Sequence, residues 1–302
     1  MDIVKKIVVV FQKPKILLNV FLNHIASYIK DDATFIKIKW KLSDMQYPLN
    51  LENPRTFSEK LQWLKLHDRH SEYTQMVDKA TAKDYVASIV GDKYIIPTYG
   101  IWNSVDEIEW DKLPNKFVVK ATSDSGGVII CKDKSNLNIQ AAVAKLKKQG
   151  SRSYYYQNRE YPYRDVPHRY IAEAYMEDES GYELKDYKFF CFNGEPKFVQ
   201  IDFDRYSNHR RNVYDINWNL LDLQIKFPKG HDRVFPKPEN YDEMVEISRK
   251  LSKGIPHVRI DLYNANGKIY FGEITFFHES GMAVFTPLEW DYKFGEFLKL
   301  PI

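Results

Sequence analysis

Val258-Arg259-Ile260-Asp261-Leu262-Tyr263, then Asn264-Ala265-Asn266-Gly267, then Lys268-Ile269-Tyr270-Phe271-Gly272-Glu273-Ile274-Thr275 is the stretch on which the reading turns. Two runs rich in β-branched and aromatic residues flank a turn-forming segment, so a hairpin is predicted. Side chains alternate across a strand. Arg259 and Asp261 therefore share the face opposite Val258, Ile260 and Leu262, and Glu273 and Thr275 share a face of the second strand. If those two faces coincide, two carboxylates, a hydroxyl and a guanidinium meet on neighbouring strands. Such hard oxygen donors suit Mg²⁺ beside phosphate oxygens. Register decides the matter. Were 264–267 the whole loop, Asp261 would oppose Tyr270 and the two carboxylates would point to opposite faces; the metal reading therefore requires a longer loop or a β-bulge. From these residues alone, an Arg259–carboxylate pair bridging a solvated sheet explains the pattern as well as a metal site does.

The surrounding chain is globular in composition. It has 302 residues, 44% hydrophobic and 28% charged, which predicts two or three structural units. Its 44 basic and 41 acidic residues are interspersed, so no basic domain or tail points to nucleic acid as a partner. Cys131 and Cys191 alone make neither a disulfide framework nor a conventional zinc site, which fits a reducing cytoplasm. The apolar run from Ile3 to Ile29 is interrupted by Lys5, Lys6, Lys13, Pro14, Lys15, Asn19 and His24, leaving no uncharged span of transmembrane length and no small-residue cleavage site. The ordinary reading of this run is a core or interface helix. Its lysines also supply the charge for peripheral contact with an anionic membrane, at the inner face of which the protein would then sit. Oligomeric state has no signature in the sequence.

Upstream of the hairpin, Thr56 and Glu59 have capping-box spacing before Phe57, Leu61 and Leu64, predicting a helix to about His67. A second helix is expected over Tyr73–Ile89, carrying Asp78, Lys79 and Lys83 and stopping near Gly91. Phe117-Val118-Val119-Lys120 and Val128-Ile129-Ile130-Cys131 read as a hairpin around Ser123-Asp124-Ser125-Gly126-Gly127. A helix over Asn138–Gln149 and a strand over Tyr170–Tyr175, leaving this module, follow. Further on come a hairpin around Asn193-Gly194 and a helix over Tyr241–Leu251 with Met244, Ile247 and Leu251 on one side. The expected division is 1–112, an N-terminal lobe; 113–172, a small lid; and 173–302, a C-terminal lobe. Glycines at the lid tip let backbone N–H groups near Ser125 and Gly126 approach phosphate, with Lys120 in reach of the same anion; a glycine-containing hairpin turn is the commoner source of such a sequence. No Walker loop, Gly-x-Ser-x-Gly elbow, His-Glu-x-x-His helix or Rossmann fingerprint occurs. His278, beside Glu279-Ser280-Gly281, is a pocket candidate.

Several segments together resemble the TupA-like ATP-grasp family: Asn53-Pro54-Arg55-Thr56-Phe57-Ser58-Glu59-Lys60, Asp78-Lys79, Asp186-Tyr187-Lys188-Phe189-Phe190, Arg259-Ile260-Asp261-Leu262-Tyr263 and Phe271-Gly272-Glu273-Ile274-Thr275-Phe276. The likeness covers roughly Leu49 to Gly295. It implies an ATP-grasp fold of the α/β (α+β) class, with N-terminal lobe, small lid, C-terminal antiparallel-sheet lobe and ATP between the lobes. It further implies that Lys79 and Lys120 contact ATP phosphates, that Glu173 and the backbone of Tyr175 and Met176 hold adenine, and that Asp186 takes the ribose. Asp261, Glu273 and Thr275 would bind one or two Mg²⁺, Arg259 would face the γ-phosphate, and the turn at Gly281 would face an acyl phosphate. Two departures stand out. Thr275 replaces the Asn of many superfamily members and is the weaker ligand, and the Ser123–Gly126 loop lacks the histidine of relatives. The implied activity is ATP-dependent carboxylate–amine ligation, joining an amino acid or amine to a uronic acid of a bacterial surface polysaccharide. Arg205, Arg210 and Arg211 are candidates for the carboxylate substrate, solvated surface charge being the plain alternative. A glycosyltransferase of the same polymers and an ATP-dependent sugar kinase are the competing readings.

Overall fold

The computed structural model describes residues 14–123, 127–150, 153–179, 181, 184–204, 207–230 and 233–301. Ser125, Gly126 and Arg205 lie outside them. The described chain begins with α1 (Pro14–Ile25) and α2 (Asp32–Leu42), joined through a small cluster of Leu22, Ala26 and Phe35. Among the described residues no helix is long and apolar enough to cross a membrane.

α3 (Phe57–His67) starts at the predicted capping box. The Thr56 hydroxyl accepts from the Glu59 N–H, and the Glu59 carboxylate accepts from the Thr56 N–H, satisfying two donors that a helix start leaves open. This helix does not belong to a separate N-terminal lobe. Phe57, Leu61 and Leu64 are buried in the same core as the C-terminal sheet, and the Phe57 ring touches Phe192, His257, Phe285 and Phe294. The helix expected over Tyr73–Ile89 is two, α4 (Glu72–Val77) and α5 (Ala82–Val90). At the break Asp78 adopts extended backbone, accepts from the Ala80 N–H and pairs with Arg169. Periodicity alone did not reveal this break, because a side chain capping its own backbone competes with the helix only where a partner such as Arg169 holds it.

The lid is a four-stranded antiparallel sheet of β1 (Thr98–Trp102), β2 (Phe117–Ala121), β3 (Val128–Cys131) and β4 (Tyr170–Ala174), in the order β1-β4-β2-β3. α6 (Ile139–Gly150) covers it, with Leu146 fully buried against Phe117 and Val119; α7 (Tyr154–Asn158) follows. Two boundaries therefore move. Residues 98–102, expected in the N-terminal lobe, are an edge strand here. The strand expected to leave the module is interior instead, Ile171 facing Ile101 on one side and Lys120 on the other.

The large sheet comprises β5 (Asp186–Phe192), β6 (Glu195–Phe203), β7 (Arg210–Asp215), β9 (His257–Ala265) and β10 (Lys268–Thr275), all antiparallel, in the order β10-β9-β5-β6-β7. A short ribbon of β8 (Gln224–Ile225) and β11 (Phe285–Thr286) stands beside it. Asn193 and Gly194 turn between β5 and β6 with φ of 49° and 85°, the left-handed pair that a tight hairpin needs. α8 (Tyr241–Ser252) packs Met244, Ile247 and Leu251 on the sheet as predicted. α9 (Glu289–Phe297) stacks Phe294 on Phe198 at 4.1 Å. β5, the central strand of the five, is buried along its whole length.

Phe57 bolts α3 to this core, and truncating it opens a cavity among five aromatic rings. Phe57→Ala should lower unfolding free energy by about 3–5 kcal/mol, read as a fall in the urea midpoint at unchanged slope. A loss under about 1 kcal/mol would mean that α3 is a separable appendage.

Candidate active site

The β9–β10 hairpin turns through two residues only, Asn266 and Gly267, with Lys268 opposite Ala265 and Phe271 opposite Leu262. Continued unbroken, this register would set Gly272 opposite Asp261 and send Glu273 to the other face. Instead Gly272 is the extra residue of a β-bulge, and Glu273 pairs with Asp261 and Thr275 with Arg259. The condition derived from the sequence is met. One inserted residue reverses strand parity and brings both carboxylates to one face. Glycine is what fits, since a Cβ at 272 would lie 3.0 Å from the Asp261 carbonyl oxygen and 3.1 Å from the Tyr263 ring.

On that face the Arg259 guanidinium donates to Asp261 Oδ1 (2.7 Å), Asp261 Oδ2 (2.8 Å), Glu273 Oε1 (3.1 Å) and Thr275 Oγ1 (3.1 Å). Its Nη1 lies 2.8 Å from His278 Nδ1. Arginine can only donate, so Nδ1 must accept and the imidazole is neutral; burial and Arg259 push the His278 pKa well below its ordinary value. Lys188, which the sequence reading did not single out, reaches Asp261 and donates to Asp186 Oδ2 at 3.0 Å. Glu273, Asp261, Lys188 and Gln200 form one cross-strand row, with Asp186, Asp202 and Arg211 in the next. The signal was present in Asp186-Tyr187-Lys188 and Gln200-Ile201-Asp202, which alternate as Arg259 and Asp261 do. Asp186, expected at the ribose, sits among these carboxylates.

Opposite β10, the helix break at Asp78 turns Lys79 into a cleft that it lines with Lys83, Lys120, Glu173, Gly272 and Glu273. Glu173 is 4% exposed and pairs with Lys83 Nζ at 2.5 Å and with Lys120. Burial pushes its carboxyl up, but Lys120 and Lys83 together hold it below its ordinary value. Lys83 is a second residue that gained its place only through the fold. Tyr175 and Met176 continue from β4 into the connection between the two sheets, both half-buried. Burial likewise raises Glu273, yet Lys79, Lys188, Arg259 and Lys120 bring it down to about 2, while 38% of the side chain stays exposed.

A clasped loop closes the site. Glu279, Ser280 and Gly281 are consecutive left-handed residues with φ of 48°, 55° and 63°, a strained arrangement for the first two that the surroundings must enforce. Gln62 donates to the Ser280 and Gly281 carbonyls (2.9 and 2.8 Å) and Lys65 to the Ser280 carbonyl (2.8 Å), both from α3. Ser280 Oγ donates to the buried Glu160 at 2.5 Å, and Lys226 holds Glu279 at 2.6 Å. Burial raises Glu160 to about 7 against the pull of Lys65. Arg211, a candidate substrate group, is 3% exposed and enclosed by Asp202 (2.6 Å) and Glu279 (3.3 Å), so it anchors this loop. Arg210 is half-buried and donates to the Lys229 carbonyl at 3.3 Å.

Among the described residues no group of three or more His, Cys, Asp or Glu forms a ready cation cage. Asp261 and Glu273, with Thr275, nevertheless match the partial oxygen set from which Mg²⁺ is bound together with substrate phosphates.

Gly272→Ala should displace the bulge and separate the carboxylates, abolishing nucleotide binding by calorimetry while the far-UV spectrum is retained; unaltered binding would show that the bulge is dispensable. Glu273 has a folded pKa of about 2 against an ordinary 4.5, so its stabilisation is complete above pH 4.5 and is lost as pH falls toward 2. Glu273→Gln should therefore melt below the parent at pH 7, with the difference shrinking below pH 4.5. A pH-independent difference would contradict this.

Among solved structures, the D-alanine–D-alanine ligase from Bacillus anthracis complexed with ATP is similar, at 16% identity and a TM-score of 0.41, over 67% of this chain and 55% of that one. The Helicobacter pylori D-alanine–D-alanine ligase is similar at 14% identity and a TM-score of 0.43, over 80% and 69%. The biotin carboxylase domain of the Hydrogenobacter thermophilus 2-oxoglutarate carboxylase, in complex with MgADP and bicarbonate, is similar at 15% identity and a TM-score of 0.38, over 76% and 47%. The chain thus spans about half to two-thirds of these proteins. No curated protein matches it significantly. The profile described as TupA-like ATPgrasp matches residues 59–299, and this chain belongs to that ATP-grasp family.

Proposed function

We propose that the protein is an ATP- and Mg²⁺-dependent ligase that joins a carboxylate to an amine through an acyl phosphate. Family membership supports ATP as the co-substrate, and one observation carries the site assignment. The Gly272 bulge brings Asp261, Arg259 and Lys188 beside Glu273, which lines a cleft with Lys79, Lys83 and Lys120. Lysines grouped around a cleft suit a polyphosphate, and Glu173 beside them can accept from the adenine amino group, with the Tyr175–Met176 backbone alongside. Asp186 belongs with the phosphate end in this reading, held by Lys188. Mg²⁺, held by Asp261 and Glu273 with Thr275 nearby, would neutralise charge on the phosphate oxygens.

The chemistry follows from charge. The substrate carboxylate oxygen bonds to the γ-phosphorus as the bond from that phosphorus to the β-bridging oxygen breaks, releasing ADP. The amine then attacks the acyl carbon, losing a proton, and inorganic phosphate leaves. Negative charge spreads over phosphoryl oxygens in the first step, and Lys79, Lys120, Lys188 and Arg259 stabilise it from fixed positions, which is most of what phosphoryl transfer asks of a protein. The lid carrying Lys120 would exclude the water that hydrolyses acyl phosphates. The resemblance to the TupA-like family supports a sugar acid of a bacterial surface polysaccharide as the carboxylate and an amino acid or amine as the second substrate, in the cytoplasm.

Purified protein incubated with ATP, Mg²⁺, glucuronic or galacturonic acid and an amino-acid pool should yield an amide detectable by mass. A glycosylated or phosphorylated product would overturn the ligase reading in favour of transferase or kinase chemistry. Asp261→Asn and Glu273→Gln should each lower turnover by about 100-fold or more with the fold intact by circular dichroism, and chelation of Mg²⁺ should do the same to the parent. Undiminished turnover would end the metal assignment.

A further inference from the structure

α1 is turned inside out. At 3.6 residues per turn, Ile16, Leu17, Val20 and Phe21 share one face, and Lys15, Asn19 and Leu22 share the opposite one. The second face is the one that packs. Leu22 is buried against Ala26 and Phe35, Asn19 Nδ2 donates to the Leu42 carbonyl at 3.0 Å, and Lys15 Nζ donates to the Ser43 carbonyl at 3.2 Å. The first face meets solvent, with Val20 63% and Phe21 61% exposed, Leu17 and Leu18 about half exposed, and Tyr28 beyond the helix 82% exposed. A helix that merely covers a core does the reverse. Contiguous apolar surface of this kind marks an interaction site.

Charge identifies the occupant. The first 44 residues hold eight lysines against four aspartates, whereas the other 258 carry 36 basic and 37 acidic side chains. The positive excess of the whole chain therefore lies in the N-terminal sequence that includes α1, with Lys5, Lys6 and Lys13 outside the described residues. A second copy on this face would bring two such excesses together, which disfavours self-association and favours an anionic surface. The segment also lies outside the family match, which begins at residue 59.

We propose that α1 docks face-down on an anionic lipid bilayer, with Ile16, Leu17, Val20 and Phe21 entering the interface and the excess lysines of the N-terminal segment drawn to the headgroups. Apolar burial and headgroup attraction act together in such helices, and the second is screened by salt. The catalytic cleft is built from other elements, so the attachment is independent of the reaction assigned above.

Flotation of the full chain with vesicles tests this. The protein should float with vesicles of equal phosphatidylglycerol and phosphatidylcholine, should do so less with phosphatidylcholine alone, and should be released by high salt. The triple substitution Leu17→Ser, Val20→Ser, Phe21→Ser changes only exposed side chains, so it should fold and bind nucleotide as the parent does yet bind vesicles about tenfold more weakly or less. Lys37→Gln with Lys41→Gln should weaken binding to the anionic vesicles only. Failure to float with anionic vesicles, or equal flotation of the triple variant, would overturn the proposal. So would a dimer of the parent that the triple variant dissociates without any vesicle binding, since the face would then join two copies.

Discussion

Arg259 is the charge around which the large sheet is organised. Its guanidinium holds two carboxylates, a hydroxyl and a neutral imidazole in one plane, and those partners come from β9, β10 and the loop after β10. A buried carboxylate such as Asp261 is costly without a cation, and burial does push its pKa up. Arg259 and Lys188 offset that cost from two sides. The result is a pair of acidic groups on one face of the sheet, bridged by the same guanidinium.

That arrangement depends on support from distant sequence. α3 packs Phe57 into the sheet and uses its far end, Gln62 and Lys65, to clasp the left-handed loop at 279–281. Glu160 and Arg211 hold the same loop from the lid connection and from β7. A strained turn persists only when it is over-determined in this way. α3, the connection after the lid and the large sheet therefore share one structural task, and α3 does not stand apart in an N-terminal lobe.

The lid side is tuned by fewer groups. Glu173 on β4 sits between Lys120 of β2 and Lys83 of α5, so a lid strand and a helix outside the lid meet at one carboxylate. Lys79 arrives beside them because the helix is interrupted at Asp78. Lys79, Lys83 and Lys120 gather in this cleft, and Glu273 faces them with its pKa held low.

The sequence by itself determined the local elements and the identity of the chemical groups. Thr56 with Glu59 marked a helix start, Asn193-Gly194 marked a tight turn, Asn264 to Gly267 marked the place of another, and the 3.6-residue spacing of Met244, Ile247 and Leu251 marked a helix face. Each is a short-range signal, carried by residues that interact within a few positions. The ordered segments from Asn53 to Phe276 likewise named the family. Only the tertiary structure decided which face the carboxylates share, that Lys188 and Lys83 join them, that Arg211 anchors a loop, and that α1 points its apolar residues outward. Those outcomes depend on pairing between residues distant in sequence, and one glycine at 272 reverses strand parity without altering any local pattern. The bulge that brings the two carboxylates to one face becomes visible only when β9 and β10 are laid side by side.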